Sequence, residues 1–566
     1  MATNILGIGQ SALAAAQVGL STAGHNIANA ATPGFSRQVV VQGAAQPQSF
    51  GFGFMGQGTE ISTVKRIYSE FLGSQVRTAQ TTKSGLDSYY AQIKQIDNML
   101  ADPASGLSPA LQSFFSGIQE LASNPASIPA RQAALSSAES LAARFQSMAG
   151  RLDEIEQGVN SQITSGVNAI NSYAKQIAQL NDAIGRAQGA SGQPANDLLD
   201  QRDQLILDLN KEIRATVVKQ GDGGYNVFIG NGQPLVVGVT TSSLTTMGSL
   251  TDPERIEVAY QTTSGPVMVG KSSLGGGKLG GVLEFRSQSL EPAQKALDDL
   301  AIGLATTFNA QHRLGQDLDG NLGGDFFVVP TAQAGASGFG VAINDPRLIA
   351  AAAPIRTAAT TGNAGSGAIS AGTVDSNYTT PLPAPVTLTY DGLADVFNVS
   401  PATAVTVTEA GPPPTTSTIA SGNPVPYTPG ATISFGGISF TISGTPAGGD
   451  QFTVGPNTGG VGDNRNALLL GALQTTNTMN GGTTTYQGAY SQLVSQIGNK
   501  TRELDVTSSA AGKLLSEANL SLQAESGVNL DEEATNLLRY QQAYQAAGKV
   551  MQIASQMFDV LLSLGR

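Results

Sequence analysis

The closest sequence match to a metal site is an acidic segment that begins at Asp317. Asp317, Asp319 and Asn321 have the alternate spacing with which a calcium-binding loop starts. Such a loop also needs Gly at its sixth position and Glu at its twelfth, where this chain has Leu322 and Val328. The pattern therefore indicates an acidic turn rather than a calcium site.

The two histidines and one glycine-rich run are the other residues that could take part in catalysis or ligand binding. The chain has no Cys, and no cluster of carboxylates accompanies His25 or His312 in the sequence. The run Gly275–Gly277, followed by Lys278, lacks the spacing of a phosphate-binding loop, so a turn is the better interpretation. We therefore predict no catalytic residue, no metal site and no cofactor.

Composition and charge favour a subunit of an assembly. The 566 residues are enough for three or four domains, and only 13% of them are charged, about half the usual fraction. Surfaces with few charges are typical of subunits that touch over large areas and of secreted fibres. The net charge of −12 and the lack of a basic run argue against nucleic acid and against an anionic membrane. No apolar stretch approaches the roughly 18 residues of a membrane helix.

Two absences bear on how the chain could leave the cell. Without Cys there is no disulfide framework, which suits both an extracellular protein stabilised by packing and a protein exported unfolded from a reducing cytosol. Residues 1–36 contain no Lys, Arg, Asp or Glu, so the basic region of a signal peptide is missing. We expect no cleaved signal peptide.

The N-terminal segment has the pattern of a helix with one narrow apolar row. Small and apolar residues recur at spacings of three and four, which allows another helix to approach closely. The helix is expected to end near Thr32-Pro33-Gly34, because Pro disfavours helix before it. The assembly residues predicted on this helix are Leu6, Leu13, Ala16, Leu20, Ala23 and Ile27.

The C-terminal segment has the clearest helical pattern in the chain. Its first apolar row comprises Leu537, Tyr540, Tyr544, Ala547, Met551, Ala554, Phe558 and Leu561. A second row, at Val550, Ile553, Met557, Val560 and Leu564, lies beside it. A helix with two adjacent rows can contact more than one neighbour, so we predict that this helix mediates assembly. An ordinary intramolecular core is the alternative interpretation.

The periodicities between the two ends predict a multidomain α+β fold. It consists of a long-helix bundle formed by both the N- and C-terminal parts of the chain, with β-rich domains inserted between them. The period changes from helical to alternating near Thr216, and residues 433–442 have the pattern of a hairpin. The predicted domains are 1–45 with 525–566 (paired terminal helices), 46–213 with 280–324 and 461–524 (helical body), 214–279 (small β-rich subdomain) and 325–460 (inserted outer β domain).

One N-terminal stretch carries a family resemblance. Residues 26–38, with Asn26, Asn29, Thr32, Pro33, Gly34, Phe35 and Arg37, resemble the N-terminal signature of the axial proteins of the bacterial flagellum, which are its rod, hook and hook-associated proteins. Residues 526–546, 463–468, 315–320 and 280–286 are similar to the family of the first hook-associated protein. The resemblance covers both ends and the helical body, whereas residues 325–460 carry little recognisable signature.

The resemblance implies a structural role outside the cell. It implies a homo-oligomeric helical or tubular layer at the hook–filament junction, in contact with the hook protein and the neighbouring hook-associated protein. It also implies type III export, with a cytosolic chaperone on the C-terminal segment. Because a lone amphipathic helix is marginal in water, we expect the terminal helices to be disordered in the monomer and ordered in the assembly.

Two other functions remain to be weighed against this one. The first keeps the flagellum but makes the chain a hook or distal rod protein, which the C-terminal segment and the long helical body argue against. The second is a cell-wall hydrolase fused to an axial protein, which would need a carboxylate pair or a nucleophile in the insert. Residues 325–460 contain few acids and no His, so we predict that the chain is not an enzyme.

Overall fold

The computed structural model describes residues 2–51, 53–102, 106–221, 223–270 and 273–564. Along the sequence of these residues, long helices at both ends flank strand-rich segments, which confirms the predicted multidomain α+β class. None of the described helices combines the length and apolar character needed to cross a bilayer. The helices are α1 (Ala2–Asn29), α2 (Glu70–Leu100), α3 (Leu107–Ser123), α4 (Ile128–Ser191), α5 (Asn196–Glu212), α6 (Gly277–Phe285), α7 (Glu291–His312), α8 (Arg465–Ala472), α9 (Tyr486–Ser526) and α10 (Leu530–Leu564).

The strands before α6 form small antiparallel sheets. Three strands lie between Gln48 and Arg66, in a segment that the predicted domains group with the helical body, because Gly and alternating residues interrupt any helical period there. A fourth strand precedes them, so the set is β1 (Gln38–Ala44), β2 (Gln48–Phe50), β3 (Gly53–Met55) and β4 (Thr59–Arg66). The next set comprises β5 (Ala215–Lys219), β6 (Tyr225–Ile229), β7 (Gln233–Val237), β8 (Thr240–Thr241), β9 (Leu244–Gly248), β10 (Ile256–Thr262) and β11 (Gly265–Met268).

The chain divides into two compact units, each made of several stretches. The first unit comprises Met1–Gln95, Ile155–Ser289 and Asn499–Arg566, and the second comprises Ile96–Glu154 and Leu290–Gly498. In the first unit, the α4 side chains Ile163, Ile170, Ile177 and Ile184 are fully buried. Their spacing of seven residues places them on one face of this long amphipathic helix.

The glycine-rich run around Gly277 is a helix-crossing site in the first unit. A Cβ on Gly281 would lie 2.1 Å from the carbonyl oxygen of Gly85 on α2, and a Cβ on Gly85 would lie 3.2 Å from that of Gly277. Gly277 has a φ of +66°, which few other residues adopt. The glycines are therefore explained by the close approach of two backbones.

An aromatic cluster forms the centre of the second unit. Phe114 on α3 contacts Phe308 on α7 with ring centroids 5.2 Å apart, and Phe326 and Phe327 complete the group. His312, at the end of α7, is fully buried beside Phe326. The acidic segment is a turn, as predicted: the Asp317 carboxylate accepts hydrogen bonds from the N–H groups of Asp319 and Asn321.

Residues 354–456 of the second unit form two antiparallel sheets around one apolar cluster. The strands from β12 onward are β12 (Phe327–Val328), β13 (Gly340–Val341), β14 (Ile355–Ala359), β15 (Ala368–Ile369), β16 (Thr373–Val374), β17 (Val386–Asp391), β18 (Val396–Ser400), β19 (Val405–Glu409), β20 (Thr415–Ile419), β21 (Val425–Pro426), β22 (Thr432–Phe435), β23 (Ile438–Ser443) and β24 (Gln451–Pro456). The strand orders of the two sheets are β14-β24-β17-β18-β21 and β15-β23-β22-β19-β20, with β16 beside β23. Residues 433–442 form the predicted hairpin, with Gly436 and Gly437 in the left-handed region at its turn.

Candidate functional site

The two terminal helices, α1 and α10, pack against each other in antiparallel orientation. Gly9 faces Met551 and Gly19 faces Tyr540, so positions that advance along α1 meet positions that recede along α10. A Cβ on Gly19 would lie 2.5 Å from the Tyr540 ring, and one on Gly9 would lie 2.9 Å from the Met551 sulfur. Small residues thus bring the helix axes close together. We call α1 and α10 the terminal pair.

The structure buries the small residues of the predicted rows more completely than the large ones. Ala16, Ala23, Ala547 and Ala554 are buried, as is Gly19, which the prediction omitted although it shares their face. The remaining predicted residues with a described side chain are half-buried (Leu6, Leu13, Leu20, Ile27, Leu537, Tyr540, Met551) or exposed (Tyr544, Phe558). The side chain of Leu561 lies outside the described residues.

A row of large apolar side chains on α10 remains uncovered by the terminal pair. Ile553, Met557 and Val560 are 56%, 47% and 57% exposed, and Val550 and Phe558 are close to 40%. Four of these side chains, Val550, Ile553, Met557 and Val560, belong to the second row that the sequence indicates beside the first, and the side chain of its fifth member, Leu564, lies outside the described residues. Exposed apolar side chains grouped on one helix are typical of surfaces that pack against another protein.

The signature segment, residues 26–38, folds back from the end of α1. The side-chain amide of the buried Asn26 donates to the Gln38 carbonyl at 2.8 Å and accepts the Gln38 N–H at 3.0 Å. The turn between them passes through Thr32 and Gly34, and the φ of +78° at Gly34 requires glycine. The Phe35 ring then packs edge-on against the His25 ring, with the two ring centroids 5.4 Å apart. Asn26 therefore closes the loop that the signature residues form.

Other signature residues are placed around this loop. Asn29 is half-buried, and its side chain donates to the His25 carbonyl at 3.0 Å. Thr32 donates to the Asn29 side-chain oxygen at 3.2 Å and is exposed, as is Pro33.

Arg37 joins the signature segment to the beginning of α10. Its guanidinium lies 2.7 Å from the Glu533 carboxylate and 2.6 Å from the Glu532 carboxylate. The backbone N–H of Arg37 donates to the Ser526 carbonyl at 2.9 Å. The Glu533 side chain is only 3% exposed, so Arg37 supplies the counter-charge that this burial requires. The two ends of the chain are thus held together by an ion pair as well as by packing.

Ser36 makes the contact that the sequence did not reveal. Its N–H and hydroxyl both donate to Asp200 on α5, at 2.9 and 2.8 Å, and Arg66 lies 2.6 Å from the same carboxylate. Burial raises the pKa of Asp200, opposed by the Ser36 and Arg66 hydrogen bonds. Burial also disfavours the charged form of Arg66, but the neighbouring carboxylates outweigh it and raise the pKa of the guanidinium.

The contacts of this arrangement are helix packing, ion pairs and hydrogen bonds. Over the described ranges, no group of three or more His, Cys, Asp or Glu residues is arranged to hold a metal ion. His25 lies 3.2 Å from Asp197 but shares a ring contact with Phe35 and hydrogen-bonds Asn29. The acids of α5 could have been noticed in the sequence, because Asp197, Asp200 and Asp203 recur every three residues and so share one helix face.

Four protein families match successive parts of the chain. Residues 93–327 match the flagellar hook-associated protein FlgK helical domain, and residues 354–456 match the D3 domain of flagellar hook-associated protein 1. Residues 6–35 match the flagella basal body rod protein family, and residues 523–564 match the C-terminal family of the flagellar basal body rod FlgEFG proteins. The last two ranges contain most of α1 and α10.

Individual relatives are similar over nearly the whole chain. Flagellar hook-associated protein 1 of Escherichia coli is 35% identical, covering 99% of this chain and 100% of the relative. The protein of the same name from Salmonella typhimurium is 36% identical with the same coverage. The solved structure of the flagellar hook junction protein FlgK from Burkholderia pseudomallei is 33% identical, with a TM-score of 0.75, and covers 80% of this chain and 100% of that chain.

Proposed function

The chain belongs to the flagellar hook-associated protein 1 family, and from this premise we propose that it is a structural subunit of the hook–filament junction that assembles through its terminal pair. The alternative of a hook or distal rod protein is disfavoured, because the similarity extends through the helical domain and the β domain as well as the ends. The exposed apolar row on α10 is the observation that supports assembly through this helix.

The assembly that we propose is a homo-oligomeric tubular layer in which α10 of one copy packs against neighbouring copies. Two apolar faces on one helix suit this arrangement, since α1 covers one face and leaves Ile553, Met557 and Val560 for a neighbour. Buried apolar surface contributes roughly 25 cal/mol per Å², so several such side chains stabilise a subunit contact substantially. The hook protein and the adjacent hook-associated protein are the further partners that this location implies.

A deletion strain tests the function as a whole. Loss of the gene is expected to leave hooks without filaments and to release flagellin into the medium, and expression of the wild-type chain should restore filaments. Normal filaments in the deletion strain would refute the proposed function. Electron microscopy of sheared flagella and immunoblotting of the medium are the measurements.

A pair of substitutions tests the proposed interface residues. Ile553→Ser together with Met557→Ser should abolish filament attachment in the deletion strain, because the proposed contact with a neighbouring copy loses two apolar side chains. Both side chains are exposed in the single chain, so their removal leaves no cavity in it. Gln552→Ser, an exposed polar position on the same helix, is the matched control. Full attachment with the double variant would exclude this face as the interface.

Export and the absence of catalysis are parts of the same proposal. We propose that a cytosolic chaperone covers the apolar row of α10 before type III export and that no signal peptide is removed. Deletion of residues 530–566 should abolish co-purification of the chaperone, and the mass of the protein secreted into the medium should match an unprocessed N-terminus. Zymography on peptidoglycan should show no clearing, as expected of a structural subunit.

The predicted domain division also stays a proposal. We propose that 1–45 with 525–566 form the axial module, that 46–213, 280–324 and 461–524 form the body, and that 214–279 and 325–460 are the inserted β-rich domains. Limited proteolysis with mass mapping of the stable fragments tests these boundaries.

A further inference from the structure

We infer that α5 is the receptor for the signature segment, and that Asp200 is a positioning residue that fixes the base of the terminal pair to α5. The inference rests on the proposed function only for the role of the terminal pair in assembly. The contacts themselves belong to a single chain and can be measured without any assembly.

Three acids on one face of α5 each contact the signature segment or the strand paired with it. Asp197 accepts a hydrogen bond from the Gln38 side chain at 2.7 Å, and Asp200 accepts two from Ser36. Asp203 lies 2.7 Å from the guanidinium of Arg66, at the end of β4. The row of acids on α5 therefore meets a row of donors.

Arg66 and Asn196 tie β4 to the same helix. Arg66 bridges Asp200 and Asp203, and Asn196 donates to the Val64 carbonyl on β4 at 2.8 Å. The side chains of Asp200 and Arg66 are only 7% and 10% exposed. Hydrogen bonds between charged groups that are shielded from water are strong and directional, so this network sets an orientation.

Apolar packing does not explain the attachment of α1 to α5. Two open clefts, of about 730 and 680 Å³, flank His25, and both are lined by residues of α1 or the turn after it and by residues of α5. A helix that was held by its apolar face would fill such space with side chains. The polar contacts of residues 36–38, together with the exposed His25–Asp197 contact at 3.2 Å, therefore carry the attachment, and Asp200 holds its most buried part.

This attachment distinguishes two successive parts of the N-terminal region, which are α1 and the signature segment that continues from its end. The terminal helices depend on burial against neighbouring copies, so they are expected to be disordered in the monomer. The signature segment depends on α5 of its own chain, so it should already be ordered. The helices would then extend from a fixed base as the subunit assembles.

Amide exchange on the full-length monomer tests the receptor role. The peptide that covers residues 34–40 should exchange slowly in the wild type and in Glu212→Gln, a control on α5 whose carboxylate instead contacts Lys278. Asp200→Asn should speed this exchange about tenfold or more, since hydrogen bonds to a charged group are lost. Equal exchange in Asp200→Asn and the wild type, or exchange of the wild-type peptide at the rate of an unfolded chain, would overturn the receptor role.

A second variant covers the case in which Asp200→Asn does not fold. Ser36→Ala removes the hydroxyl donor and leaves the Arg66 pair intact, and it should speed exchange of the same peptide several-fold. An unchanged rate in this variant would also overturn the receptor role. Circular dichroism of each variant reports whether the remaining helices are intact.

Complementation of the deletion strain tests the positioning role. Asp200→Asn, or Ser36→Ala if the former does not fold, should reduce the fraction of hooks with filaments at least several-fold relative to Glu212→Gln. Faster exchange with normal filament attachment would overturn the positioning role. If the deletion strain itself made normal filaments, the proposed function would fail while the exchange result stood.

Discussion

His312 should make the second unit sensitive to acid. Its Nδ1–H donates to the Gly324 carbonyl at 2.8 Å, and its Nε2 accepts the Ala350 N–H at 2.9 Å. An Nε2 that accepts a hydrogen bond carries no proton, so the folded protein holds the neutral ring. Protonation would therefore break the bond to Ala350 inside the core.

The size of the effect follows from the burial of this ring. Burial lowers the pKa of His312 from 6.5 to about 4, with Asp325 and Asp317 opposing the decrease and Arg131 adding to it. The unfolded chain takes up a proton near pH 6.5 and the folded unit only near pH 4, so stability is lost as the pH falls through that interval. At 1.36 kcal/mol per pKa unit, the loss between pH 7 and pH 4 is about 3 kcal/mol.

The assay compares the wild type with His312→Leu. The variant cannot titrate at this position and leaves Gly324 and Ala350 without their partner, which costs about 1–3 kcal/mol for each group at pH 7. Amide exchange of residues 305–330, corrected for intrinsic rates, gives the opening free energy of this region. The opening free energy of the wild type exceeds that of the variant at pH 7, and this difference should decrease by about 3 kcal/mol from pH 7 to pH 4. A difference that does not change with pH would refute the reasoning.

Three further substitutions probe the terminal pair and the first unit. Gly19→Ala places a Cβ against the Tyr540 ring, so filament attachment should fall in the deletion strain, whereas Gly24→Ala, which has open space, should not reduce it. Arg37→Ala leaves Glu533 buried without its counter-charge and should impair attachment, with partial recovery when Glu533→Gln is added. Gly281→Ala forces two backbones apart and should destabilise the first unit by about 3 kcal/mol in urea titrations.

Much of the architecture was predictable because it depends on contacts that are local in sequence. Helical periodicity repeats every three or four residues, so the helices α1 and α10 follow from short stretches of chain. The hairpin at 433–442 was equally predictable, since alternation and a Gly-Gly turn specify it. The strands within residues 46–66 were grouped with a helical domain because short strands in glycine-rich sequence constrain the domain boundary weakly.

Packing between distant segments was the part that sequence periodicity did not determine. Apolar spacing indicated that both ends are helices, but only the fold showed that small residues such as Gly19 face α10 and that large ones such as Ile553 stay exposed. The spacing of the helical rows is the same for a side chain that is covered within the chain and for one that awaits a neighbour. Which of the two applies depends on the partner helix.

The sequence by itself determined the helical ends, the β-rich insertions and the signature segment, because periodicity and turn residues act over a few positions. Only the tertiary structure decided that Ser36 meets Asp200 across 164 positions and that His312 lies in a core as a neutral ring. A hydrogen bond or a burial energy depends on distance in space, and the chain reaches those distances only after its helices have packed.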